Sequence, residues 1–131
     1  MIYFDAPFLT VHAVGEGNII WAEWKGTPTR EPMDRGFEAG EQAVIANKSH
    51  RWLADTRFLG TMDPLEVKWV NEHWIPRLVK AGVRSMALVA PAKVVMQVQV
   101  KSFMARIDER DLALSYFSNI DEAWIWLRAQ P

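Results

Sequence analysis

Residues 51–90 read RWLADTRFLGTMDPLEVKWVNEHWIPRLVKAGVRSMALVA, and the order of elements in this stretch decides the fold. Arg51 to Asp55 (RWLAD) is a short apolar strand. After a polar loop, Asp63 caps a helix that Pro64 opens and that runs to about Ala81, ahead of Gly82. Ser85 to Ala90 (SMALVA) is the near-continuous apolar run of a buried parallel strand, ended by Pro91. A helix of this length between two strands is a right-handed crossover, so the strands are expected to be parallel in one α/β sheet.

Upstream, Leu9 to Val14 alternates, with Leu9, Val11 and Ala13 on one side and Thr10, His12 and Val14 on the other. Ile19 to Trp24 is the next apolar run, and Gly15-Glu16-Gly17-Asn18 between them permits a tight reversal, so the two pair as an antiparallel hairpin. Ile20, Ala22 and Trp24 share one face and Ile19, Trp21 and Glu23 the other, which requires cover on both sides of the sheet. Pro32 in a first turn opens a helix reaching about Lys48, weakened by Gly36 and Gly40. Downstream, Met96, Val98 and Val100 alternate with Gln97, Gln99 and Lys101 as in a strand, yet Lys93 to Arg106 stands where a crossover helix is needed and is taken as helix. Leu112 to Phe117 is a last strand, and Ser118 caps a final helix whose buried stripe is Ile120, Ala123, Trp124 and Leu127.

The expected fold is therefore a mixed α/β sheet with an N-terminal antiparallel hairpin and crossover helices, in a single domain spanning residues 1–131. A chain of 131 residues removes roughly two-thirds of its unfolded surface from water, enough for one ordinary core. Fifteen Lys and Arg nearly balance sixteen Asp and Glu, which argues against a charge-driven nucleic-acid binder. With no cysteine there is no disulfide, thiol nucleophile or thiolate metal site. MIYFDAPFLT lacks a basic region followed by an apolar run, and no segment approaches the roughly 18 to 20 apolar residues of a membrane span. A cytoplasmic, soluble protein without stable membrane insertion is expected.

Catalytic and cofactor signals are missing. His12, His50 and His73 are far apart and form no i, i+4 pair, so no HExxH-type zinc site exists. Gly15-Glu16-Gly17 joins two strands instead of opening a helix, which removes the dinucleotide reading. No G-x-S-x-G elbow or P-loop is present, and the acidic run Asp108 to Asp111 reads as solvated charge. No catalytic residue, metal or cofactor is assigned, and a non-enzymatic protein is expected.

Seven tryptophans direct attention to packing and interfaces. On the helix after Asp63, Val67, Val70, Trp74 and Leu78 fall within about 80° of one another and form a buried stripe, whereas Trp69 lies beside Leu65 outside it. Leu65 and Trp69 are therefore candidate ligand or partner contacts. Asp55, Thr56 and Arg57 join them, because partners of α/β sheets meet the carboxyl ends of strands. The plainer account of that trio is anchoring, with Asp55 accepting backbone N–H groups and Arg57 pairing a carboxylate.

WLADTRFLG, MDPLEVKWVNEHWIPRLVKAG, SMALVAP and the closing YFSNIDEAWIWL together resemble the small bacterial STAS-like proteins. These are related to the sporulation anti-anti-sigma factor and, more distantly in fold, to CRAL-TRIO lipid-binding domains. The resemblance implies a mixed sheet with a leading hairpin. It also implies a non-enzymatic regulatory protein that binds a protein partner, or itself as a homo-oligomer, through an apolar surface near the second helix. The CRAL-TRIO likeness implies the alternative, a carrier or sensor of a small apolar ligand held between the second and third helices and the sheet. In anti-anti-sigma factors a regulatory serine follows an aspartate at the start of that helix. Here Asp63 is present, but Pro64 stands at the acceptor position and has no hydroxyl. Incubation with a cognate anti-sigma kinase is expected to leave the helix start unmodified by intact-mass and peptide mapping. Stoichiometric phosphate at Thr61 would overturn the inference that this switch is absent.

Overall fold

The computed structural model describes residues 1–131. Six strands form one sheet whose spatial order follows the chain: β1 (Ile2–Ala6), β2 (Leu9–Val14), β3 (Ile19–Gly26), β4 (Arg51–Leu59), β5 (Ser85–Val89) and β6 (Ala113–Phe117). β1, β2 and β3 are mutually antiparallel, and β3 to β6 are parallel. The hairpin reverses through Gly17 (φ 80°) and Asn18 (φ 51°), two left-handed residues that glycine and asparagine tolerate best. α1 (Arg30–Asn47), α2 (Pro64–Ala81), α3 (Val94–Ala105) and α4 (Ile120–Arg128) complete the chain. No helix is long and apolar enough to cross a membrane.

Several boundaries differ from the sequence reading. β1 is an additional edge strand, held by pairing to β2 across a register irregularity between Ile2 and Phe4. β4 continues past Asp55 to Leu59 because β3 also continues, with Lys25 and Gly26 paired to Phe58 and Leu59. α1 begins at Arg30 behind Thr29, so Pro32 lies inside its first turn instead of opening it. Asn119, not Ser118, caps α4: its Oδ1 accepts from the backbone N–H groups of Asp121 and Glu122. Lys93 to Arg106 is helical, as its crossover position requires.

α2 is interrupted by a π-helical turn at Val70–Trp74 between Pro64–Trp69 and Ile75–Ala81. Pro76 explains it, since proline has no N–H to donate and its ring collides with the carbonyl four residues back. A widened turn ahead of Pro76 takes up that collision while the helix continues.

The sheet buries both faces unequally. Leu9, Val11, Ile20, Ala22, Trp24, Trp52 and Met86 face α1, α2 and α3 in the large core. Ile19, Leu53, Ala87 and Val89 meet Ala123 and Leu127 of α4 on the reverse, where Trp21 packs edge-on against Trp124. α1 and α2 are tied by two reciprocal Arg–Glu pairs: Arg30 with Glu66 at 2.7 Å and Arg77 with Glu41 at 2.6 Å. Between them the Trp74 indole N–H donates to Asp34 at 3.1 Å, and Trp74 is fully buried.

Gly36 and Gly40 weaken α1 as an isolated helix but permit its seat on the sheet. A Cβ at Gly36 would overlap the Leu9 side chain, and one at Gly40 would overlap the Trp52 indole. Helix propensity alone would make Gly40→Ala stabilising by about 1 kcal/mol. Because Trp52 is 2% exposed and held between layers, overpacking is expected to dominate, leaving a net loss of about 1–2 kcal/mol in a urea melt. A variant more stable than the parent would show that the indole yields.

Candidate functional site

A cavity of about 80 Å³ opens between α1, α2, α3 and the large-core face of the sheet. Each element contributes for a reason already visible in its pattern. β4 presents Trp52, Ala54 and Thr56, alternate residues on one side of a strand, and β5 presents Met86 and Leu88 in the same way. α2 supplies Val67 and Val70, and α3 supplies Met96 and Val100 one helical turn apart. Of the 17 lining residues 15 are hydrophobic, and the two polar ones are Thr56 and Gln99. None is charged.

Four of the six methionines, Met33, Met62, Met86 and Met96, line this cavity. Their unbranched thioethers adapt to irregular space and to varied apolar shapes. Each comes from a different part of the chain, so no local spacing marks them in sequence. Gln99 was equally hidden, because it belongs to the segment whose period is that of a strand.

The three candidates at the end of β4 separate. Asp55 and Arg57 side chains belong to the reverse face, where the Arg57 guanidinium donates to Asp55 through Nε at 2.9 Å and Nη2 at 2.8 Å. The Trp21 indole N–H donates to the same carboxylate at 3.1 Å, and the Arg57 backbone N–H does so at 3.2 Å. The Asp55 side chain is fully buried, while Arg57 keeps about a third of its side chain in water. The hydrogen bond to Asp55 is the main cause that raises the Arg57 guanidinium above its ordinary range, partly opposed by burial. Thr56 turns the other way into the cavity, and its hydroxyl donates to the Val89 carbonyl at 2.5 Å. These residues thus lie inside a strand, not on a free loop, and they do not form one site.

Leu65 lies on the outer side of α2, whereas Trp69 packs against the edge of the large core. Leu65 is 69% exposed. Trp69 is half-buried, with the Arg30 guanidinium 4.3 Å above its ring and His73 stacked at 5.3 Å. The Trp69 ring thereby has two partners within the chain. Leu65 is therefore the freer contact of the two. Val94, Val95 and Val98 of α3 are also exposed.

The family model that matches the chain is described as SpoIIAA-like and covers residues 19–128. No curated protein and no solved structure matches it.

Removing Arg57 leaves a fully buried carboxylate with only neutral donors. Arg57→Ala is therefore expected to lower the unfolding free energy by about 3 kcal/mol in a urea melt. A loss below about 0.5 kcal/mol, the scale of an exposed ion pair, would instead mark Arg57 as free to serve a partner.

Proposed function

The chain belongs to the SpoIIAA-like family, and on that premise we propose that it is a non-enzymatic regulatory protein whose cavity takes a small apolar molecule. The observation that carries this reading is the cavity itself, apolar at all but two of its lining residues and placed between three helices and the sheet. Such a concave, mostly apolar space with few polar groups is the usual form of a small-ligand site. Filling it stabilises the folded state by mass action, and occupancy is thereby coupled to the stability of α2 and α3. The protein acts as a sensor or carrier in this reading, within a STAS-like regulatory setting.

A second reading is favoured by a separate observation. Val94, Val95 and Val98 on one helix, α3, are all exposed, as is Leu65 on α2, and exposed apolar side chains of this kind dock a protein partner or a second copy. Native mass spectrometry of freshly purified protein separates the two, since one spectrum reports both retained ligand and oligomer mass.

Trp24 and Trp52 line the cavity, so a bound heavy-atom quencher must reduce their emission. 1-Bromohexane is expected to quench tryptophan fluorescence saturably in the parent chain. Ala54→Leu and Val100→Phe, which fill the cavity from its two sides, are expected to weaken the quenching by at least about tenfold while keeping the parent circular dichroism. Unsaturable quenching, or equal quenching in folded cavity-filling variants, would overturn the ligand reading.

A further inference from the structure

The polar atoms of the cavity narrow the chemistry of its occupant, on the premise that the cavity is a ligand site. We infer that it selects a neutral apolar molecule carrying a hydroxyl, an alcohol or phenol, and discriminates against a carboxylate of the same length.

Thr56 and Gln99 are the only polar side chains in the lining. The Thr56 hydroxyl proton is committed to the Val89 carbonyl at 2.5 Å, deep in the sheet. What Thr56 offers a ligand is therefore its oxygen lone pairs, an acceptor. Gln99 is oriented by its Nε2, which donates to the Met62 carbonyl at 2.7 Å. That bond requires the amide nitrogen on the Met62 side and leaves Gln99 Oε1 as a second acceptor, with one N–H remaining. The site thus holds two acceptors and a single spare donor.

A carboxylate fits this inventory badly. It only accepts, so it competes for one N–H, and its charge meets no Lys, Arg or His among the lining residues. Burying an unpaired charge in such a wall is far more costly than burying a neutral group. A hydroxyl donates to the Thr56 oxygen and accepts from the spare Gln99 N–H, so its proton and one of its two lone pairs are used. An alkane leaves the polar pair idle, and an ether accepts only.

The test uses the full chain and three probes of nearly equal size, 1-hexanol, 1-methoxypentane and hexanoate at neutral pH, each competing against 1-bromohexane quenching. Hexanol is expected to bind about tenfold tighter than the ether, the scale of one net hydrogen bond. It is expected to bind at least about a hundredfold tighter than hexanoate, the scale set by burying an unpaired charge. Thr56→Val should bring hexanol down toward the ether and leave the ether unchanged, and Thr56→Ser should restore the preference. Hexanoate binding as tightly as hexanol, or the ether matching hexanol, would overturn this inference while the apolar-ligand reading stands. Failure of bromohexane itself to bind would remove that reading instead.

Discussion

The Phe37 ring of α1 meets three indoles, two from the sheet and one from α2. Trp24 of β3 lies at 5.0 Å, Trp74 of α2 is stacked at 5.4 Å, and Trp52 of β4 is stacked at 6.4 Å. This aromatic cluster fixes the distance between helix layer and sheet, and Gly40 exists in α1 so that Trp52 can reach it. The Arg77 guanidinium then lies 4.4 Å over Trp74, and its pairing with Glu41 carries the contact back to α1. The seat of α1 and α2 on β3 and β4 follows from these few large, flat side chains.

The cavity begins where that cluster ends. Trp24, Phe37 and Trp52 line it beside the cluster, Val67 and Val70 of α2 and Met96 and Val100 of α3 line it from the helices, and Met33, Met62 and Met86 come from α1, the segment before α2 and β5. Rigid rings interleaved with adaptable thioethers let the space keep its position and still change shape. The reverse face of the sheet has the opposite character. There Trp21, Asp55 and Arg57 exchange hydrogen bonds among themselves, and α4 covers only part of the surface. The two faces of β4 thus divide the labour: Asp55 and Arg57 hold the strands together while Thr56, between them in sequence, faces the cavity.

The crossover unit from Arg51 to Val89 was legible because its signals are local: apolar runs of strand length, a capping aspartate before a proline, and a stop at Gly82. The hairpin was legible for the same reason. β1 was not, since a strand of five residues at a sheet edge is defined by its pairing with β2 and carries no turn chemistry of its own. The end of β4 was read as a loop because DTR is polar; its strand geometry comes from β3 continuing beside it. Asn119 was passed over for Ser118 because both residue types cap helices, and only the hydrogen bonds distinguish neighbours. The cavity had no sequence signature, as its lining is assembled from every helix but α4 and from three strands. The segregation of Trp69 from the Val70–Trp74 stripe was visible, whereas its stacking with Arg30, 39 positions away, was not.

A sheet whose neighbours in space are neighbours in the chain has a consequence for synthesis. No strand of this sheet has to be inserted between two that are already paired. As the chain emerges from a ribosome, β2 and β3 close on a short turn, and each later strand adds to an edge that is waiting for it. Loop closures stay short, and the entropy lost before each new pairing is correspondingly small. The exposed edge moves outward one strand at a time, and the interval during which it is unpaired is set by the time needed to make one helix and the next strand. Only the reverse face waits longer, because Leu53 and Val89 remain uncovered until α4, the last element, is made.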